Sequence, residues 1–110
     1  MAFSQIVLTG TYATESGSFA TGEIEFQLTD TMTNANEVVE PTSTIIRLTT
    51  GTFSVTLDAN DDTGTTPTGV GYTVIERLTV TPERSYIITL PSAHGTVDIS
   101  TLMPGAPPTQ

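Results

Sequence analysis

The sequence predicts an all-β fold: a single antiparallel β-sandwich of about seven strands, immunoglobulin-like or transthyretin-like. Three features carry this. Threonine is the commonest residue of the chain, and its branched β-carbon is stiff and packs well on a pleated surface. Short runs with apolar residues at every second position recur from end to end, and no segment sustains a helical period. Clusters of Gly, Pro, Asn and Asp break these runs at regular intervals, as the turns of a sandwich require.

Taken in order, the first candidate strand is Ile6 to Tyr12. The second has the clearest alternation: in Glu23-Ile24-Glu25-Phe26-Gln27-Leu28 the apolar Ile24, Phe26 and Leu28 share the core face, with the polar residues on the other. A long loop follows from Asp30 to Pro41. Thr44 to Thr49 is the third strand, and Thr50-Gly51 joins it to the fourth so closely that only a tight hairpin fits, with Gly51 free to take positive φ. In the fourth, Thr52 to Leu57, the residues Phe53, Val55 and Leu57 point inward. An acidic, Gly- and Pro-rich loop covers Asp58 to Gly71. Tyr72 to Leu78 and Ser85 to Leu90 are the fifth and sixth strands. They are separated by Thr81-Pro82-Glu83-Arg84, where proline presets φ for a turn. Thr96 to Ile99 is a short seventh.

A chain of 110 residues supports one domain around one core. The sandwich is assigned to residues 1–102. The remainder, 103–110, is a Pro-rich tail whose prolines lack the N–H donors that a central strand or helix needs. There is no cysteine, hence no disulfide or thiolate metal site. The opening residues lack a basic, apolar leader, and no apolar run is long enough to span a membrane, so synthesis in the cytoplasm without a signal peptide is expected.

Twelve acidic residues face three basic ones, Arg47, Arg77 and Arg84, for a net charge of -9. Such a surface repels a phosphate backbone, which excludes nucleic acid, and it disfavours anionic membranes for the same reason. Acidity of this kind confers solubility and repulsion between free copies.

No catalytic, cofactor-binding or metal site is expected. The segment Asp58-Ala59-Asn60-Asp61-Asp62-Thr63-Gly64 offers oxygen ligands to a hard cation. As an EF-hand loop, however, it places Thr63 where glycine belongs and Gly69 where a bidentate glutamate belongs. A solvated turn of Asx hydrogen bonds is expected instead. His94, the only histidine, lies near Ser92 and Asp98 without a nucleophile elbow or oxyanion motif, and reads as an exposed loop residue. Glu23 and Glu25 could suggest paired glycosidase carboxylates, but alternation puts both on one solvent face, as a charged guard against strand addition. Tyr72 and Tyr86 are expected as buried rings with hydroxyls at the sandwich end, which leaves few aromatics to stack on sugars. Without lysine, edge protection falls to glutamates and to Pro41, Pro82 and Pro91. Threonine-lined edges left open would favour self-association.

The runs Gly51-Thr52-Phe53-Ser54-Val55-Thr56-Leu57, Asn60-Asp61-Asp62, Thr66-Pro67-Thr68-Gly69, Tyr72-Thr73-Val74-Ile75-Glu76-Arg77 and Tyr86-Ile87-Ile88-Thr89-Leu90-Pro91 together resemble a small β-sandwich domain of actinobacteriophage virion proteins, of the minor tail protein and tail fibre type. Leu8-Thr9-Gly10-Thr11-Tyr12 and Ala20-Thr21-Gly22-Glu23-Ile24-Glu25-Phe26 fit the same domain. The resemblance implies a non-enzymatic structural protein of the virion, a tail or fibre component without cofactor. Its partners would be other virion proteins and copies of itself, with a homotrimer by analogy. Fibre proteins continue into long shafts after this domain, so a stand-alone copy reads alternatively as a capsid decoration or head-fibre protein. A module binding host surface glycan is the alternative from another class.

Overall fold

The computed structural model describes residues 3–79, 81–93 and 95–103. It is all β apart from one 3-10 turn. The strands are β1 (Gln5–Thr11), β2 (Gly22–Leu28), β3 (Met32–Asn34), β4 (Glu37–Val39), β5 (Thr44–Arg47), β6 (Thr52–Asp58), β7 (Tyr72–Leu78), β8 (Arg84–Ile88) and β9 (Thr96–Asp98), and the 3-10 turn covers Ile99–Thr101. Each of the seven anticipated strands forms, within two residues at either end. β3 and β4 are additional, and they lie inside the stretch expected to be an irregular loop.

Two sheets face each other, ordered β6-β1-β9 and β5-β2-β7-β8, and β3-β4 is a separate hairpin. Every pairing is antiparallel except that of β1 with β9, where Val7, Leu8 and Thr9 stand beside Thr96, Val97 and Asp98. β1 and β2 lie in opposite sheets, whereas in the immunoglobulin order the first two strands share one.

Alternation explains which residues fill the space between the sheets. Ile6 and Leu8 from β1, with Phe53 from β6, meet Ile24, Phe26 and Leu28 from β2, Tyr72 and Val74 from β7, and Ile88 from β8. The rings of Phe26 and Phe53 meet across the two layers at 5.8 Å and a 42° tilt. Each such side chain stabilises the fold by roughly 1.5–3 kcal/mol through burial. Gly10 must lack a side chain, because a Cβ there would stand 2.4 Å from the ring of Phe53.

The Thr50-Gly51 turn is tight as expected, with Thr49 and Thr52 exchanging both backbone hydrogen bonds at 2.9 Å and both central residues at positive φ. The strands it joins do not form a hairpin, however. β5 belongs to one sheet and β6 to the other, so the turn is a corner between layers. The loop Asp58 to Gly71 also differs from the solvated Asx turn anticipated. Its side chains bond to distant segments: Asp62 accepts from the N–H and hydroxyl of Ser4, Asp61 from the N–H of Ser92, and buried Asn60 from the N–H of Leu90. The β3-β4 hairpin seals it, through the Thr33–Thr66 bridge and the amide of Asn34 donating to Thr63 and Thr65.

Glu23 and Glu25 occupy β2, an inner strand paired on both sides, so they cannot guard an edge. Both do lie on the outer face. Glu25 is nevertheless only 8% exposed, because Arg77 and Ser43 close over it. At the C-terminal end Met103 packs against the core and its N–H bonds to Ile99. The rest of the Pro-rich tail and His94 lie outside the described residues.

Candidate functional site around Glu76

The described residues with the most unusual chemistry are at one end of the sandwich. In β7 the core-facing row runs Tyr72, Val74, Glu76, all buried, so the pleat carries a carboxylate into the space between the sheets. The β7–β8 register sets Arg84 beside Glu76 and Tyr86 beside Val74. Tyr12, directly after β1, approaches from the other sheet.

Four donors converge on this carboxylate. Arg84 donates from Nε at 2.7 Å to one oxygen and from a terminal nitrogen at 3.4 Å to the other. The second oxygen also accepts the hydroxyls of Tyr86 at 2.6 Å and Tyr12 at 2.9 Å. The guanidinium carbon of Arg84 lies 5.1 Å from the centroid of the Tyr86 ring. Above the cluster opens a cleft of about 480 Å³, walled by Leu78, Pro82, Ile99 and Met103, with Asp98 and Ser100 at its rim.

Burial by itself would raise the pKa of Glu76. The hydrogen bonds from Arg84, Tyr86 and Tyr12 outweigh it and hold the carboxyl below the usual range. Burial is the leading cause of a raised pKa at both tyrosines, reinforced at Tyr86 by its hydrogen bond to Glu76 and at Tyr12 by the charge of Glu76. A general acid or base needs a pKa near neutrality and a lone pair or proton to spare. Here the donors favour the ionised carboxylate, with three of the four on one oxygen, and burial favours the protonated form of both phenols. The cluster ties the end of β1 to β7 and β8.

A second, open arrangement lies on the outer face of the larger sheet. Arg77 spans Glu25 at 2.6 Å, Glu23 at 3.4 Å and Glu83 at 3.7 Å. Glu25 is held below the ordinary carboxylate range by the Ser43 hydroxyl and then by Arg77. Across β2 and β7 this makes a charge ladder between two neighbouring strands, not a pair flanking a substrate.

Asp98 and Ser92, two residues of the rejected triad, are engaged with other partners. Asp98 caps the 3-10 turn by accepting the N–H of Ser100, and Ser92 is held by its backbone to Asp61. Among the described residues no cluster of three His, Asp or Glu side chains could hold a metal ion. Tyr72 is buried and donates its hydroxyl to the carbonyl of Asp58. Glu76 was the residue missed from sequence, although its signal was present: in Tyr72-Thr73-Val74-Ile75-Glu76 it falls in phase with the two apolar residues that define the core face.

No family model, no curated protein and no solved structure matches this chain.

Proposed function

We propose that this protein is a non-enzymatic structural component of a phage virion, attached to or projecting from the particle as part of the tail or a fibre. The family assignment rests on the resemblance of the stretch Gly51 to Pro91. The non-enzymatic part is supported chiefly by the state of Glu76, whose oxygens accept four donors from the chain itself. Both the cleft cluster and the Arg77 ladder consume their charge internally, as a scaffold does. A threonine-rich surface of low side-chain entropy suits ordered contacts with neighbouring subunits. Capsid decoration by the same fold differs from this reading in location only.

The glycan-binding alternative would be favoured by exposed tyrosines in a groove. Tyr12 does line the cleft, but both it and Tyr86 are half-buried with hydroxyls committed to Glu76. Purified particles encoded by the same genome test the proposal. Mass spectrometry is expected to find the chain in stoichiometric amount, and electron microscopy to find matching density on the tail. Density on capsid lattice points would select the decoration reading, and absence from the particle would overturn both.

A further inference from the structure

The larger sheet ends in β8, and among the described residues one side of the β8 backbone has no partner. Thr29 N–H bonds to Gly71 C=O at 2.9 Å and Thr79 N–H to Thr21 C=O at 2.8 Å, at the two ends of the β2–β7 ladder. Odd-numbered residues of β7 therefore direct their backbone groups to β2, and even-numbered ones to β8. Because Tyr72 pairs with Ile88 and Val74 with Tyr86, the even-numbered residues of β8 face back to β7. The N–H and C=O groups of Ser85 and Ile87, and of Thr89 just beyond, point away from the sheet. Among the described residues no backbone hydrogen bond outside the ladders reaches them.

The other edges differ. β6 has Thr52 bonded at both backbone groups to Thr49 and its Asp58 carbonyl accepts the hydroxyl of Tyr72, which ties down its two ends and leaves the backbone groups of Ser54 and Thr56 facing outward between them. β5 has four residues and ends in Arg47, and β9 has three. β8 opens on Arg84, but from Ser85 to Leu90 there is no charge and no proline. Ile87 stands on it 60% exposed. β8 is thus the open edge that carries the most exposed isoleucine.

We infer that β8 pairs with β8 of a second copy, antiparallel about a two-fold axis at Ile87. In this register Ile87 faces Ile87 of the second copy, Tyr86 faces Ile88, and Ser85 faces Thr89. The edge groups at Ser85, Ile87 and Thr89 then all become hydrogen-bonded pairs. A shift that sets Ser85 against Ile87 would leave the two exposed isoleucines apart and lay Arg84 against Ile88.

The uncharged run also explains how two copies of charge -9 approach. In this register Glu83 and Arg84 fall opposite Pro91 and Leu90, away from the axis, while the apolar centre closes. A strand pair of this length lies below the ~1,200 Å² of a stable interface. Pairing is therefore weak in dilute solution and strong where an assembly already holds copies side by side. The inference stands whether or not the assembly is a virion, and an isologous edge gives a dimer, not a trimer.

The absence of cysteine allows a direct test. Cα atoms of a hydrogen-bonded antiparallel pair are ~5.5 Å apart, within disulfide range. Under mild oxidation Ile87→Cys should form covalent dimer at least roughly tenfold faster than Ile45→Cys, because pairing raises the local thiol concentration; Ile45 is 52% exposed at the opposite edge. Sedimentation of the unmodified chain should shift from monomer toward dimer with concentration and with NaCl, which screens the repulsion. Ile87→Lys should melt at an unchanged temperature and remain monomeric. Equal crosslinking of the two cysteine variants, a dimer that survives in Ile87→Lys, a closed trimer, or a monomer at every concentration and salt level would each overturn the inference.

Discussion

At the scale of single residues, Glu76 shows how a charge is accommodated in a core that could have been apolar. Its side chain is 5% exposed and that of Arg84 is 54% exposed, so the pair is half-wet and the tyrosine hydroxyls complete the carboxylate's coordination. Removing the acceptor leaves four donors without a common partner. Glu76→Gln keeps the shape but sets an amide N–H₂ among donors, and we expect a loss of about 2 kcal/mol, seen as a fall in Tm of roughly 10 °C. The comparison is Glu83→Gln, whose partner is an exposed 3.7 Å contact with Arg77 and whose effect should stay within ~0.5 kcal/mol. Equal melting temperatures for the two variants would show that the cluster contributes nothing beyond a surface ion pair.

At the scale of elements, the corner between β5 and β6 carries the sharpest conformational demand. Thr50 has φ 47° and Gly51 φ 80°, and a side chain on Gly51 would meet the carbonyl of Tyr12 at 2.6 Å. Positive φ at both central positions is the requirement of a type I′ turn, which favours asparagine before glycine, whereas a β-branched residue is strained there. Thr50→Asn should therefore stabilise the fold by about 0.5–1 kcal/mol, and Gly51→Ala should destabilise it by more than about 1 kcal/mol. Urea unfolding of the two variants measures both, and a shift of the same sign in each would refute the account.

The same elements show how far the chain's residues announce its fold. Period-two alternation made β2 and β6 legible, since Ile24, Phe26 and Leu28, and Phe53, Val55 and Leu57, are apolar in strict phase. β3 and β4 were not legible: Met-Thr-Asn and Glu-Val-Val are too short for a period, and they exist because the hairpin docks on the loop of residues 58–71. Nor could local pattern reveal that Thr50-Gly51 changes sheets, because sheet membership depends on partners distant in sequence. The candidate site was half visible. Glu76 shared the phase of Tyr72 and Val74, but its partners Arg84, from β8, and Tyr12, just past β1 in the other sheet, reach it only through the sheet order and the packing of the two sheets.

At the scale of the whole molecule, stability should depend on pH through three carboxyls with two signs. Glu25 and Glu76 lie below their ordinary values. Each therefore contributes stability that is fully present above the unfolded value of about 4.3 and lost as pH falls through the lower folded value. Asp58 is raised by burial, then by Glu37 and Asp62. Its folded value lies above the unfolded one near 3.9, so its contribution turns favourable as pH falls through it. Urea midpoints at constant ionic strength should be flat or slightly rising from pH 7 to about 5 and should fall below about pH 4. A midpoint that keeps rising to pH 3 would mean that relief of the overall negative charge outweighs the two glutamates.

The parallel pairing of β1 with β9 has a mechanical meaning. β1 opens the domain and β9 all but closes it, and the two run side by side in the same direction, with Val7 beside Thr96 and the N–H of Val7 bonded to Gly95. Tension applied through the flanking chain pulls the start of β1 and the end of β9 in opposite directions. The ladder between them is then loaded in shear, all its bonds at once, instead of being peeled one bond at a time. β6 braces β1 from its other edge along the full strand. A domain strung between two neighbours by its ends would resist extension at this clamp before any other part of the sandwich yielded.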